Sequence, residues 1–192
     1  MKDSAEKELI EGCKANNRAF QSKLFKMYSG KMLGVCMRYA KDNDEADDML
    51  QISFIKIFKK IKSFRNDDGS LEGWIRKIVV NSAIDEIRKN KRLKISSVSL
   101  EEVEDKDVTI EIEEEVYMSE IGPEKIISHI QKLPDCYRTV FNMYAFEGLT
   151  HQEISENLDI HIGTSKSNYH KAKKALKSSL TKELEVKAYE PA

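Results

Sequence analysis

Apolar residues in the first half of the chain recur at intervals of three and four positions, the spacing of amphipathic helices. This pattern predicts one long helix over residues 19–39 and a second from about residue 44 to residue 62, with a break between them. A third predicted helix runs from Trp74 to about residue 90, after a loop at residues 63–73 that is rich in Gly, Asp and Asn. The first half therefore predicts a small helical bundle.

The second half of the chain predicts further helices, the last two arranged as a helix-turn-helix. Helices resume at Pro123 and again after Pro134. Thr150 is predicted to cap the next helix, and Glu153, three residues later, completes a capping box. The turn at residues 159–161 begins with Asp, which tolerates left-handed backbone angles, and Thr164 is the predicted N-cap of the last helix.

The last helix combines an inward stripe with a basic outer surface. Ser165, Tyr169, Ala172 and Leu176 recur at i, i+4, i+7 and i+11 and so share one face. Residues 160–182 contain no acidic residue and six lysines: Lys166, Lys171, Lys173, Lys174, Lys177 and Lys182. Such a helix suits the major groove of DNA, where phosphates flank the base edges. The alternative is an ordinary helical hairpin with a solvated basic face.

The net charge of −1 conceals three segments of very different charge. Residues 1–96 hold 21 Lys and Arg against 14 Asp and Glu, whereas residues 97–122 hold Lys106 against ten acids, a net charge of −9. Self-repulsion and sparse apolar positions predict that this acidic segment is an extended, flexible linker. Its acids are Glu101, Glu102, Glu104, Asp105, Asp107, Glu111, Glu113, Glu114, Glu115 and Glu120.

Composition favours a helix-rich, all-α protein, and 192 residues allow one domain or two small ones. Charged residues make up 34% of the 192 residues, and eight Gly and three Pro leave little turn chemistry for a β-rich fold. No apolar run approaches the length of a membrane span, and the N-terminus has no signal-peptide core. Three widely spaced cysteines indicate neither a disulfide framework nor a zinc module, so we expect a reducing cytoplasm.

The loop and helix at residues 64–92 carry the ingredients of a single-stranded DNA site. Aromatic rings such as Phe64 and Trp74 can stack on bases, cations follow phosphates, and the amide of Asn81 can pair with an exposed base edge. The alternative is that both rings belong to the core and that Asp85 and Arg88 form a surface pair. For either ring considered alone, burial in the core is more common than a place on a binding surface.

Three blocks in this order resemble the bacterial RNA polymerase sigma factors of the sigma-70 family, in the extracytoplasmic-function (ECF) group. Residues 44–61 resemble region 2.2 and residues 64–92 resemble regions 2.3 and 2.4, while the helix-turn-helix resembles region 4. The most specific signal is a tryptophan-led pattern in the third helix: Trp74, Ile75, Ile78, Val79, Asn81, Asp85 and Arg88. The resemblance implies a region 2 domain over residues 1–96, the linker at 97–122, a region 4 domain over 123–182 and a tail at 183–192.

The resemblance also implies partners and contact residues. Docking on the β′ clamp helices of core RNA polymerase is implied for Asp44, Asp47, Asp48 and Gln51, although acids at a helix start also complement the helix dipole. Recognition and melting of the −10 element is implied for Phe64, Arg65, Asn66, Asp67, Trp74, Lys77, Asn81 and Arg88. Contacts to the −35 element are implied for Lys166, Ser167, His170, Lys171 and Lys174. Region 4 would also contact the β flap, and an anti-sigma factor would hold both halves.

Three residues of the last helix depart from the family pattern, Ser165, Asn168 and Tyr169, as does Asp159 in the turn before it. Tyr169 stands where Leu is usual, and Asp159 stands where Gly is common. Ser165 stands where Val is usual, which predicts looser packing, and Asn168 stands where Arg is usual, which removes an expected phosphate contact. The sequence can be compared with two other functions. A stand-alone helix-turn-helix regulator gives no reason for the pattern between Trp74 and Arg88, and an enzyme lacks a catalytic constellation. No metal ligand spacing, cofactor motif or small-molecule substrate site is indicated, and no membrane insertion.

Overall fold

The computed structural model describes residues 2–65, 69–89 and 121–189, with side chains described from residue 5 to residue 185 of these ranges. Throughout these ranges the regular structure is helical, and the predicted all-α fold is confirmed. The chain forms two compact units that divide at residues 86–87, near the end of a helix. The predicted acidic linker lies, except for Ile121 and Gly122, outside the described residues.

Among the described residues, the first unit consists of α1 (Lys2–Lys14), α2 (Arg18–Tyr39), α3 (Asn43–Lys60) and most of α4 (Leu71–Lys89), with a 3₁₀ turn at Ile61–Ser63. Three of these correspond to the predicted helices. The helix α1 was not predicted, although three of its residues, Leu9, Ile10 and Cys13, recur at helical spacing and are buried.

The starts of α2 and α3 follow from side-chain caps. Asn17 accepts a hydrogen bond from the backbone N–H of Ala19 at 2.9 Å, and Asp42 accepts one from that of Glu45 at 2.8 Å. The carboxylate of Glu45 in turn accepts from the N–H of Lys41 at 2.8 Å. Two of the acids around residue 44 therefore serve the helix start itself.

The second unit contains α5 (Pro123–Gln131), α6 (Asp135–Ala145), α7 (His151–Leu158) and α8 (Ile162–Tyr189). In its core, the inward stripe of α8 packs against residues of α5 and α6 and of the segments that flank α5. The buried members are Ile121, Ile130, Leu133, Phe141, Ala172, Leu176 and Leu180. The predicted inward face of the last helix is confirmed at Ala172 and Leu176.

The helix-turn-helix shows the predicted capping box and turn, but α8 starts earlier than predicted. Thr150 and Glu153 form the reciprocal capping box, and Asp159 is left-handed with φ of 53°. Thr164 is not the N-cap, because α8 begins at Ile162 and Thr164 lies inside its first turn. The imidazole Nδ1 of His161 accepts a hydrogen bond from the N–H of Gly163 at 3.1 Å and so satisfies this helix start instead.

Candidate nucleic-acid interface

One face of α4 carries most of the described residues that were predicted to contact the −10 element. Trp74, Lys77, Asn81 and Arg88 stand at i, i+3, i+7 and i+14, which places them along one stripe of the helix. Lys77, Asn81 and Arg88 are exposed, and Trp74 is half-buried. The stripe thus offers two cations, one amide and part of an aromatic ring to solvent.

Asp85 lies within the same stripe and is paired across to α3. Its carboxylate accepts from Lys56 Nζ at 2.9 Å, so the partner that the structure gives it is Lys56 rather than the Arg88 considered from the sequence. Since both side chains are partly exposed, the pair contributes at most about 1 kcal/mol to stability. It also offsets the acidic charge that Asp85 would otherwise place between Lys77 and Arg88.

Phe64 does not lie on this surface. Its side chain is 2% exposed, and its ring packs on Trp74 with the centroids 5.3 Å apart. The backbone N–H of Phe64 donates to the carbonyl of Ile61 at 3.1 Å, which fixes the chain as it leaves the 3₁₀ turn. Phe64 therefore packs against Trp74 from the core side, and in this conformation a DNA base cannot stack on the Phe64 ring. Arg65 is exposed, and Asn66 and Asp67 lie outside the described residues.

An acidic face at the start of α3 is separate from the groups that cap the helix. Asp44, Asp47, Asp48 and Gln51 stand at i, i+3, i+4 and i+7, and all four are exposed. Capping is performed by Asp42 and Glu45, as described above. The acids of this face are therefore available to a partner.

α8 presents a second basic surface, on the side away from its core stripe. Lys166, Lys171 and Lys174 are exposed, and Ser167 and His170 are half-buried beside them. Lys173 differs from these lysines, because its Nζ lies over the ring of Tyr169, 4.7 Å from the centroid.

Ser165 and Asn168, two of the three positions at which α8 departs from the family pattern, are buried. Ser165 is 0% exposed, and its Oγ lies 2.9 Å from Nδ1 of His151 in α7, so the expected looser packing is replaced by a polar contact between helices. Asn168 is 5% exposed, so this side chain faces the interior rather than a phosphate. Sequence reasoning missed the contribution of His151, since nothing in the local pattern marks its partner.

An aromatic group surrounds the contact between α7 and α8. Tyr144 stacks on His151 with centroids 4.6 Å apart, and Tyr169 lies 4.4 Å from Tyr144 and 5.8 Å from His151. Tyr169 is also stacked on Phe141 at 6.0 Å. Each ring pair of this kind adds about 0.5–1.5 kcal/mol beyond the area that it buries.

Burial governs the state of the cysteines. The three cysteines are buried, and burial raises the pKa of the Cys36 thiol to about 12, which disfavours the reactive thiolate. Within residues 2–65, 69–89 and 121–189 no group of His, Cys, Asp and Glu is arranged to hold a metal ion. In the same ranges no helix is both long and apolar enough to cross a membrane.

The α4 stripe exposes two cations, and the helix-turn-helix exposes a basic surface; both are surfaces of a kind that can bind DNA. Comparison with known families matches the two halves of the chain to two regions of one protein family. The sigma-70 region 2 family matches residues 24–93, and the sigma-70 region 4 family matches residues 124–176.

Curated relatives match along nearly the whole chain. The RNA polymerase sigma-H factor of Pseudomonas aeruginosa is 29% identical over 184 residues, covering 91% of this chain and 93% of the relative. The ECF RNA polymerase sigma-E factor of Haemophilus influenzae is 28% identical, with 90% and 93% covered. The ECF RNA polymerase sigma factor SigW of Bacillus subtilis is 29% identical, with 91% and 96% covered.

The chain therefore belongs to the sigma-70 family of RNA polymerase sigma factors, in the ECF group. It acts in promoter-specific transcription initiation, and the stand-alone regulator is not favoured, because such a protein has no use for region 2. Members of the family are DNA-binding regulatory proteins rather than enzymes.

Proposed function

We propose that the two units divide promoter recognition between them, residues 1–96 at the −10 element and residues 123–182 at the −35 element. The observation that supports this proposal best is the α4 stripe, which combines cations, an amide and an aromatic edge on one exposed face. The acidic linker at 97–122 would span the distance between the two elements, and residues 183–192 would be a tail.

At the −10 element the α4 stripe would hold a melted strand. Lys77 and Arg88 would follow the phosphates, and Asn81 would pair with an exposed base edge. Trp74 would support the edge of the opened duplex, held from the core by Phe64. Arg65, Asn66 and Asp67 would form the loop that captures a base from the displaced strand, where unstacking costs a few kcal/mol.

At the −35 element α8 would lie in the major groove of duplex DNA. Lys166, Ser167, His170 and Lys171 would face base edges, and Lys174 a flanking phosphate. Because lysines that neutralise phosphates release the counterions bound there, part of the affinity for DNA would fall as the salt concentration rises.

Binding to core RNA polymerase would use the acidic face of α3. Asp44, Asp47, Asp48 and Gln51 would contact the β′ clamp helices, and the region 4 unit would contact the β flap. An anti-sigma factor would compete for these surfaces, and the protein would act in the cytoplasm with no cofactor, metal ion or small-molecule substrate.

Run-off transcription tests the proposal. Core polymerase from the host, supplemented with the purified chain, should produce transcripts from a subset of promoters that core alone does not use. A triple variant, Asp44→Asn with Asp47→Asn and Asp48→Asn, should lose core binding while the chain stays folded. Failure of the native chain to bind core would contradict the proposal.

A further inference from the structure

His151, itself half-buried, joins the two helices of the helix-turn-helix through a contact to a fully buried serine. Its Nδ1 lies 2.9 Å from Oγ of Ser165, which is 0% exposed. Whichever tautomer the imidazole adopts, one hydrogen bond joins the two atoms. In such a buried site an unpaired polar group is unfavourable, so the pair favours one arrangement of α7 and α8.

Both ends of this contact are held by their own helices. His151 follows the N-cap Thr150, whose N–H donates to the Glu153 carboxylate at 2.8 Å, and the Glu153 N–H donates back to the Thr150 hydroxyl at 3.2 Å. Ser165 lies in the first turns of α8, where its N–H donates to the carbonyl of His161 at 3.1 Å. The side-chain bond therefore connects two fixed backbone segments.

The contact also constrains how α8 is rotated about its own axis. Ser165 and Tyr169 are one turn apart and both contact His151, one through a hydrogen bond and the other at a ring distance of 5.8 Å. Lys166 and His170 directly follow these two residues. Since side-chain tips lie about 5–6 Å from the helix axis, a rotation of about 10° moves them by about 1 Å. Such a shift is enough to change which base-edge atom a side chain reaches, because hydrogen-bond lengths vary by only a few tenths of an ångström.

We infer that His151 is a positioning residue for −35 recognition, which acts through Ser165 and Tyr169 to set the rotation of α8 in the groove. It touches no base itself. The inference rests on the proposed role of α8 at the −35 element. A purely stabilising role for the same contact would lower affinity for every promoter in parallel, whereas a positioning role changes the order of preference among promoters.

The test compares two variants that remove the hydrogen bond from opposite ends. His151→Phe keeps an aromatic ring beside Tyr144 and Tyr169 but removes the nitrogen, and Ser165→Ala removes the hydroxyl. Ser179→Ala is the matched control, because it removes a Ser hydroxyl from the same helix, where it bonds the Leu176 carbonyl at 3.0 Å. Each full-length chain is assembled with core polymerase, and the affinity is measured for a promoter recovered by transcript sequencing and for its single-base −35 substitutions.

We expect His151→Phe and Ser165→Ala to change the ratio of affinities between −35 sequences by about three- to tenfold, the range that corresponds to one hydrogen bond. The double variant should change the ratio of affinities no further than either single variant, since the two substitutions remove the same hydrogen bond. Ser179→Ala should leave the ratios as in the native chain. Unchanged ratios, or equal loss for all sequences, would overturn the inference but leave the proposed function standing. If the native holoenzyme did not distinguish −35 sequences at all, the proposed role of α8 would fail and the inference with it.

Discussion

Gly12 of α1 faces the ring of Phe20 so closely that a Cβ added at Gly12 would lie 2.3 Å from the Cγ atom of that ring. The glycine is therefore required by packing between α1 and α2, not by a special backbone conformation. Gly12→Ala should force the ring to shift and should lower the free energy of unfolding of the first unit by about 1–3 kcal/mol. Trp74 is the chain's single tryptophan and lies in this unit, so its fluorescence during urea denaturation measures the effect.

The matched control for this substitution is Gly34→Ala in α2. A Cβ at Gly34 meets nothing within 4 Å, and the residue lies inside a helix. There Ala should stabilise the first unit by up to about 1 kcal/mol, because glycine is the poorer helix former. If both substitutions changed the unfolding free energy equally, contact with Phe20 could not be the reason for glycine at position 12.

The guanidinium of Arg138 satisfies carbonyl groups at the end of α5 and just after it, inside the second unit. It is 1% exposed and donates from Nη1 to the carbonyls of Gln131 and Leu133, at 2.7 and 2.9 Å, while Nη2 pairs with Asp135. Arg138→Ala should leave these acceptors without their donor and should destabilise the second unit by about 2–4 kcal/mol. Hydrogen exchange of the amides of α5 and α6 in the full chain gives the measurement.

Lys177→Ala serves as the control for the loss of a positive charge, because Lys177 is exposed on α8. It should change the protection of α5 and α6 by no more than about 0.5 kcal/mol. Similar losses in the two variants would mean that net charge, rather than the bonds of Arg138, determines the stability of this unit.

The stability of the second unit should fall in mildly acidic solution because of His129. Burial, followed by the charge of Lys132, lowers the pKa of His129 below its ordinary 6.5, despite the opposing effect of Glu183, whose carboxylate lies 3.9 Å away and also binds Lys125. The unfolded chain therefore takes up this proton more readily than the folded one. The stability that neutral His129 contributes to the folded state is fully present above about pH 6.5, and it is lost as the pH falls toward the lower pKa of His129 in the folded state.

Histidine NMR titration checks this prediction directly. The chain has four histidines, and the resonance that disappears in His129→Gln should titrate below 6.5. The same variant should lose less unfolding free energy than the native chain between about pH 7.5 and about pH 5.5. A native His129 that titrates at or above 6.5 would contradict the assignment of burial as the dominant effect.

Local patterns predicted most helices because their determinants are local. The spacing of apolar residues located α2, α3 and α4, and the Thr150–Glu153 capping box located the start of α7, each within a few positions of the structure. The predicted start of α8, directly after the cap Thr164, lies three residues beyond the observed start at Ile162, because His161 takes the capping role that a threonine usually fills.

What the sequence could not supply were contacts between residues far apart along the chain. The bond between His151 and Ser165 joins side chains 14 positions apart, and the pair of Lys56 and Asp85 joins side chains 29 apart. Periodicity indicates which face of a helix turns inward, but it does not indicate which side chain lies opposite. For the same reason the sequence leaves open whether the Phe64 ring is buried or exposed, and the structure shows it buried against Trp74.

Lys171 offers the most direct test of the basic surface of α8. It is exposed and stands one turn from Ser167 and Lys174, among the residues proposed to face the groove. Lys171→Ala should weaken holoenzyme binding to a cognate promoter by about tenfold, the effect of losing one base or phosphate contact. Core binding should stay the same, since the α3 surface is untouched. Lys182→Ala removes the same charge from the same helix 11 residues further on, and should have little effect.

The salt dependence of the Lys171→Ala effect identifies the kind of contact that is lost. A lost phosphate contact lowers the slope of log affinity against log salt by about one, whereas a lost base contact leaves that slope unchanged and relaxes the −35 preference. Equal weakening of core and promoter binding would instead show that Lys171 supports the fold.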